Sequence, residues 1–451
     1  MGALLIRDIH TLVTMDDRRS ILDGAWLYAL DGEIREMGRG APPRRKADRT
    51  LRAAHLLAVP GLINTHHHLY QTLTRALPAA ADVPLFPWLV TLYPLWARLD
   101  EEAVYTAALV GLAELMLSGC TTAADHHYVF PRGQTRLIDA EIAAAARLGI
   151  RFHACRGSMS LSVKDGGLPP DSVVQSEDEI LADCERVIRK YHDPRPGGMV
   201  QIALAPCSPF SVTKRLMVLM AELARRRGVR LHTHLAETRD EEDYCYARYR
   251  QRPVDLLEET GWLDSRTWIA HGIHLNGLER KRLGRAGVGV AHCPSSNMRL
   301  GSGIAPVIEL RKNGCAVGLG VDGSASNDGS HLLAEARQAL LLARVAHGAA
   351  AMTVMQALEM ATRDGARCLG RDDIGSIQPG RRADIALFDL RALEYSGAGA
   401  PLPALLLCAP TRVHTLVVEG RVVVEDGQLC ALRLEPVLRT HRRLAARLRR
   451  E

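Results

Sequence analysis

Two histidines, His66 and His68, end the apolar run Pro60-Gly-Leu-Ile-Asn-Thr-His-His-His-Leu69, and no other pair in the chain is so plainly set up to hold a metal. In an extended segment, residues two apart point to the same side. Both imidazoles can therefore reach one divalent ion while His67 faces away. Neutral imidazole is a favoured ligand for zinc and its neighbours. A bland surface tract or a tag remnant also gives histidine runs, but this one lies mid-sequence behind a segment that reads as a buried strand.

The other candidates lie far downstream, each at the end of its own apolar segment. Val229-Arg-Leu-His-Thr-His-Leu-Ala-Glu-Thr238 supplies His234 with Glu237 three residues on, Thr267-Trp-Ile-Ala-His271 supplies another histidine, and Ala316-Val-Gly-Leu-Gly-Val-Asp322 ends in an aspartate. His66, His68, His234 and Asp322 make a mononuclear site with room for a water. On zinc such a water has a pKa near about 7 in place of about 15.7, so hydroxide is available at neutral pH. Glu237, beside the metal without ligating it, suits a proton shuttle between that water and a ring nitrogen. His271 is then free to orient the water. Singly, each residue has an ordinary explanation: a satisfied strand-end histidine, a helix cap for Glu237, a turn for Asp322. Their recurrence at the same end of successive strands favours a shared site.

Strands that deliver polar residues at their C-terminal ends, separated by helices, describe the rim of a parallel barrel, where catalytic groups gather. Within residues 61–370 eight such ends can be walked: His66/His68, Thr122 to Asp125, Ala154 to Arg156, Pro206-Cys207, His234, His271, His292 to Ser295, and Asp322. Helical periodicity fills the gaps at Glu101 to Leu117, Ile138 to Leu148, Glu177 to Lys190 and Lys214 to Arg227. Both chain ends read as β structure instead, with Asp31-Gly32 as a hairpin turn. The expected fold is α/β, a (β/α)8 TIM-type barrel over residues 61–370. It is inserted into a small β-sandwich domain made by residues 1–60 and 371–451, the latter ending in a C-terminal helix.

The chain has 451 residues, 47% hydrophobic and 24% charged, as in an ordinary soluble globular protein. Its net charge of +6 comes largely from one place, since six arginines against one glutamate in Arg439 to Glu451 contribute five units. That tail, with Leu444 and Leu448 spaced as on one helix face, is expected to be a solvated terminal helix. Nucleic-acid and membrane partners are not expected. The ten cysteines show no C-x-x-C spacing and read as reduced thiols of a cytoplasmic protein. The N-terminus lacks a basic segment followed by an apolar core, and Ile6 stands where a myristoylation signal needs Ser or Thr.

These residues resemble the amidohydrolase superfamily across nearly the whole chain. The Pro-Gly-x-x-Asn-x-His-x-His start, the His-Leu-Ala-Glu-Thr segment, the Ala-His-Gly strand, the Cys-Pro-Ser-Ser-Asn297 loop and Asp322-Gly-Ser-Ala-Ser-Asn327 look like its aminohydrolase branch, which includes chlorohydrolases and purine deaminases. The resemblance implies one divalent metal per chain, zinc or else iron, on His66, His68, His234 and Asp322. Glu237 and His271 are then acid/base partners, with Asp322 counted among the catalytic groups too. Two-metal members carry a bridging lysine at the end of the fourth strand. Ala205-Pro-Cys-Ser208 has none, which implies one metal and deamination over cyclic-amide hydrolysis.

Members acting on adenosine-type nucleosides tend to have histidine where Cys207 stands, so a free base is favoured. Tyr70-Gln-Thr-Leu-Thr-Arg75, Asp125-His-His-Tyr128, Ala205 to Phe210 and Glu237 to Cys245 look like 8-oxoguanine deaminases, with hydroxytriazine aminohydrolases close behind. Gln71 offers a donor and an acceptor for a purine amide edge, or else only ties down its loop. Phe86, Trp88, Tyr93 and Trp96 cluster in a chain only 4% aromatic, as a lid stacking on a flat heterocycle or as helix packing. Trp88, after Pro87 in an expected loop, is assigned to the pocket. The expected reaction is deamination of 8-oxoguanine to urate and ammonia by a homo-oligomer. Guanine, isocytosine or a hydroxytriazine are the alternatives, and a non-catalytic metal-binding scaffold is the alternative of another class.

Overall fold

The computed structural model describes residues 2–449. The N-terminal strands are β1 (Ala3–Val13), β2 (Ile21–Leu30), β3 (Glu33–Arg39), β4 (Arg49–Arg52) and β5 (Leu56–Pro60). After Gly61 come β6 (Leu62–Asn64), β7 (His67–His68), β8 (Cys120–His127), β9 (Arg151–Ser158), β10 (Val200–Pro206), β11 (Arg230–Leu235), β12 (Thr267–His271), β13 (Gly289–His292), β14 (Val317–Leu319) and β15 (Asp322–Gly323). The C-terminal strands are β16 (Ile385–Asp389), β17 (Thr415–Val418), β18 (Arg421–Glu425) and β19 (Gln428–Leu429).

Eight of these, β6, β8 to β13 and β14, close into a parallel barrel, and β14 returns to β6 through Leu319 opposite Asn64. Above the barrel mouth β7 and β15 pair in parallel, with Asp322 opposite His67 and Gly323 opposite His68. This short pairing brings the first and last strands' functional residues side by side. Along β10, Ile202 and Leu204 pack outward with the helices, while Ala203 and Ala205 join an interior cluster with Ile63, Ala124, Trp268 and Ala291. The alternation follows from the strand's period of two. Small residues on the inner face leave room for the Trp268 indole, whose Nε1 donates to the Thr65 carbonyl at 3.1 Å.

Helices cover the barrel. They include α1 (Leu85–Trp96), α2 (Glu101–Leu117), α3 (Leu137–Leu148), α4 (Glu177–Tyr191), α5 (Lys214–Arg227) and α6 (Arg239–Tyr249). Their starts are capped as the sequence allows: Asp100 accepts from the Ala103 N–H, Ser176 and Glu179 form a capping box, and Thr213 accepts from the Leu216 N–H. Among the described residues no helix is long and apolar enough to cross a membrane.

Three expectations are corrected in detail. The terminal strands are hydrogen-bonded into one nine-stranded sheet, not two separate ones, with β5 between β16 and β1. That sheet curls until β3 meets the lead-in to β16, Glu33 bridging Arg382, and residues of β1, β2, β5, β16 and β17 share one interior. Trp88 lies in α1 rather than in a loop. Pro87 falls in the first turn, where backbone N–H groups have no helical partner to lose. The C-terminal helix (Leu434–Arg449) is solvated on one side only, because Leu444, Ala445 and Leu448 are buried.

Candidate metal centre and substrate pocket

Barrel closure brings together side chains separated by up to 256 positions in the chain, His66 and Asp322 being the extremes. Asp322 Oδ1 lies 3.3 Å from both His66 Nε2 and His68 Nε2, and His68 Nε2 lies 3.1 Å from His234 Nε2. One ligand atom from each of the four falls within 4.8 Å of the others. His67 points elsewhere, with its Nε2 2.9 Å from Ser330 Oγ.

Hydrogen bonds on the far side of each ring fix which nitrogen carries the proton. His68 Nδ1 donates to the His126 carbonyl at 2.7 Å and His234 Nδ1 donates to the Cys207 carbonyl at 2.6 Å. His66 Nδ1 lies 2.7 Å from His232 Nε2, and His232 Nδ1 donates to the Trp268 carbonyl at 2.9 Å. His232 Nε2 must then accept from His66. All three Nε2 atoms are left as lone pairs aimed at one point beside a carboxylate, and His66 Nε2 is buried without a partner. Lone pairs crowded this closely repel unless a cation lies among them, so the donor set fits a divalent metal. Burial drives His66 well below its ordinary pKa and His234 down to about 3, keeping both rings neutral as ligation requires.

Asp322 is held from behind. Ser296 Oγ donates to its Oδ2 at 2.6 Å, Ser326 Oγ approaches the same oxygen at 3.3 Å, and its Oδ1 accepts from the Gly323 N–H at 2.7 Å. Asp322, His271 and Ala236 all have positive φ, at 59°, 72° and 53°. Non-glycine residues rarely adopt it, and strain of this kind clusters where a site demands a particular direction. At the Ala236 turn the buried Glu241 carboxylate accepts from the Ala236 N–H at 2.9 Å and the Glu237 N–H at 3.0 Å.

Glu237 and His271 sit together beside the ligands, with Glu237 Oε2 3.5 Å from His271 Nε2. His271 Nδ1 donates to Asn297 Oδ1 at 2.9 Å, which leaves Nε2 as an acceptor facing Glu237. Burial, then the negative charge of Asp322, raises the Glu237 carboxyl well above its ordinary value. A group that must carry and deliver a proton benefits from that shift.

These residues open onto a small, partly enclosed cavity, of which His68, His234, Glu237, His271 and Asp322 form one wall. Leu85, Trp88, Leu89, Phe210 and Leu300 supply apolar surface, and Gln71, Tyr128, Cys207 and Ser326 supply polar groups. Trp88 is fixed by its Nε1 donating to the Ala325 carbonyl at 3.1 Å. Phe86 instead packs on Phe210, and Tyr93 and Trp96 pack in the cluster behind. Gln71 Oε1 lies 3.4 Å from the Ala325 N–H, and its amide occupies the space a Cβ on Gly323 would take, so a side chain after Asp322 would displace Gln71.

Residues 57–423 match the amidohydrolase family. The chain belongs to that family. Among curated amidohydrolase relatives, 8-oxoguanine deaminase of Pseudomonas aeruginosa is 55% identical over 423 residues, covering 94% of each chain. Hydroxydechloroatrazine ethylaminohydrolase of Pseudomonas sp. (strain ADP) is 38% identical over 96% of this chain and 93% of that one. The crystal structure of atrazine chlorohydrolase TrzN from Arthrobacter aurescens TC1, complexed with zinc, superposes with a TM-score of 0.94 at 36% identity, covering 98% of this chain and all of that one.

The structure brings His66, His68, His234, Asp322, Glu237 and His271 into one centre and sets Gln71, Trp88 and Cys207 at its pocket. Sequence reasoning missed the groups that aim them: His232, Glu241, Ser296 and Asn64. Asn64 Oδ1 accepts from the Val321 N–H at 2.9 Å and ties β6 to the approach to Asp322. It also missed Tyr128, edge-on to His68 at 5.0 Å. The visible signals were the alternation His232-Thr-His234 and the polar run Cys-Pro-Ser-Ser-Asn297.

Proposed function

We propose that this amidohydrolase is a metal-dependent hydrolytic deaminase of a free aminated heterocyclic base, and that 8-oxoguanine, converted to urate and ammonia, is its substrate. The observation that carries the reading is the wall on which Glu237 and His271 stand beside four converging ligand groups, facing a largely apolar cavity. The relative named 8-oxoguanine deaminase, at 55% identity over nearly full length, supports the choice of base. We assign one divalent ion, zinc before iron, to His66, His68, His234 and Asp322. When bound it supplies a Lewis acid that makes water a nucleophile at neutral pH.

The residues then divide the work. Trp88 and the leucines around it offer the ring a flat, dry seat, and Gln71 pairs with an amide edge. His271, its Nδ1 proton committed to Asn297, accepts a hydrogen bond from the attacking water at Nε2. Glu237 moves one water proton to the ring nitrogen beside the amine-bearing carbon. The water oxygen becomes the new carbonyl oxygen, the exocyclic C–N bond breaks, and ammonia leaves with the second proton. The ten unpaired cysteines, eight of them buried, suit the cytoplasm, where we place the enzyme.

The test is ammonia release by the metal-loaded protein from a panel of 8-oxoguanine, guanine, isocytosine, hydroxytriazines and adenosine. We expect 8-oxoguanine to lead and adenosine to be poor. Efficient turnover of adenosine with 8-oxoguanine inert would overturn the free-base assignment. Release from none would overturn the deaminase reading and return the scaffold.

A further inference from the structure

The C-terminal helix carries most of the chain's excess charge and has no part in the chemistry above, yet it packs directly behind the residues that line the pocket. Leu444, Ala445 and Leu448 share one apolar cluster with Trp88 and Leu89 of α1, and with Tyr70 and Leu73 of the short 3-10 helix Leu69–Thr74 that carries Gln71. Arg443 pairs with Glu102 and Arg447 pairs with Asp100, so the helix is fastened to the start of α2. Just before these anchors in the helix, His441 reaches inward, its Nε2 3.0 Å from Thr72 Oγ1. The Thr72 hydroxyl donates to the Ala107 carbonyl at 3.3 Å, which leaves its oxygen to accept from His441 Nε2–H. Thr72 adjoins Gln71, and Gln71 lies against the bare backbone of Gly323, next to Asp322.

We propose that His441 is a positioning residue for the substrate pocket. Through Thr72 the C-terminal helix sets the placement of the 3-10 helix and of Gln71, and with it the affinity for the base. Burial, with the charges of Arg75 and Arg442, pushes the His441 imidazole down to about 4, so it stays a neutral donor at working pH. Apolar packing alone would need no donor at this position. The Thr72 contact is directional, and it is made to the residue next to the pocket glutamine.

This inference rests on the deaminase reading only for its substrate. His441→Ala, His441→Gln and Arg439→Ala are compared with the unmodified, metal-loaded enzyme on the heterocycle it deaminates fastest. His441→Ala should raise KM about three- to tenfold, the scale of one hydrogen bond, with kcat within about twofold and metal content unchanged. His441→Gln, which keeps an N–H donor at similar reach, should restore KM, and Arg439→Ala, at an exposed residue that pairs with Glu435, should leave it alone. Amide hydrogen exchange should quicken at residues 69–74 in His441→Ala and not in His441→Gln. Unaltered KM and unaltered exchange at residues 69–74, a KM rise that only follows metal loss, or failure of glutamine to rescue would each overturn the proposal. If the unmodified enzyme deaminates nothing, the deaminase reading has failed and the exchange comparison alone decides the role of His441.

Discussion

His234 lies in β11 and Glu237 three residues on, past the turn, and their surroundings differ in a way that substitution can measure. His234 aims a lone pair at the other ligands, whereas Glu237 faces His271 and is raised by burial toward its protonated form. Glu237→Gln should keep metal content and folding while lowering kcat by about two or more orders of magnitude, the scale of lost acid/base help. His234→Ala should lose the metal. Equal metal loss in Glu237→Gln, measured by elemental analysis, would mean that the carboxylate is a ligand. At this scale the sequence shows the groups that the barrel gathers into one centre, because histidine and aspartate at strand ends are conspicuous. It hides their supports. Glu241 binds two backbone N–H groups of a strained turn, and Ser296 reaches Asp322 from 26 positions away. Neither contact has a signature until the barrel closes.

Among the elements, α1 forms the pocket's apolar side and makes the lid testable. If a planar base rests on Trp88, as proposed, Trp88→Ala removes that face and should chiefly raise KM. Gln71→Ala leaves buried substrate groups unpaired at about 1 to 3 kcal/mol and should lower kcat/KM by about tenfold or more. Steady-state kinetics on 8-oxoguanine checks both, and an unchanged KM in Trp88→Ala would remove the indole from the binding site. The barrel elements are legible in advance because each strand announces its end with a polar residue. Helices such as α2 and α5 match their periodicity residue for residue. Trp88 reads as a loop residue because Pro87 precedes it, and the structure adds Pro84 as the N-cap. Both occupy positions where a helix has no hydrogen bond for proline to break. The curl of the terminal sheet depends on pairing between strands from opposite chain ends, which no local pattern encodes.

Across the whole molecule, burial sets how stability depends on pH, through two groups of opposite sign. His67, His127, His153, His232, His234, His292 and His441 all have pKa values lowered from 6.5, burial being the largest cause. Unfolded, they take protons below pH 6.5 that the folded chain refuses, so stability is lost as pH falls from there. Glu141 is pushed up to about 8 and Glu241 and Glu335 to about 7, again by burial. The folded chain keeps those protons above 4.5, where the unfolded chain has released them. Their contribution is therefore complete at low pH and disappears as pH rises through 7 to 8. His66, His126, His192 and His331 are lowered too, and Asp125, Glu237 and Asp364 raised, so below 6.5 the lowered histidines still outnumber the raised carboxyls and stability climbs with pH. Above 6.5 only the carboxyls still titrate, and it declines. Buried thiols such as Cys120 and Cys184, raised from 9 to about 12, continue the decline above pH 9. Tm measured from pH 5 to 9 should pass through a maximum near neutrality. Glu141→Gln, which has no proton to lose, should remove that group's decline from pH 5 to 8, steepening the rise on the acid side and flattening the fall above neutrality. A Tm that rises steadily to pH 9, or a profile that Glu141→Gln leaves unchanged between pH 5 and 8, would show that these buried groups do not govern it.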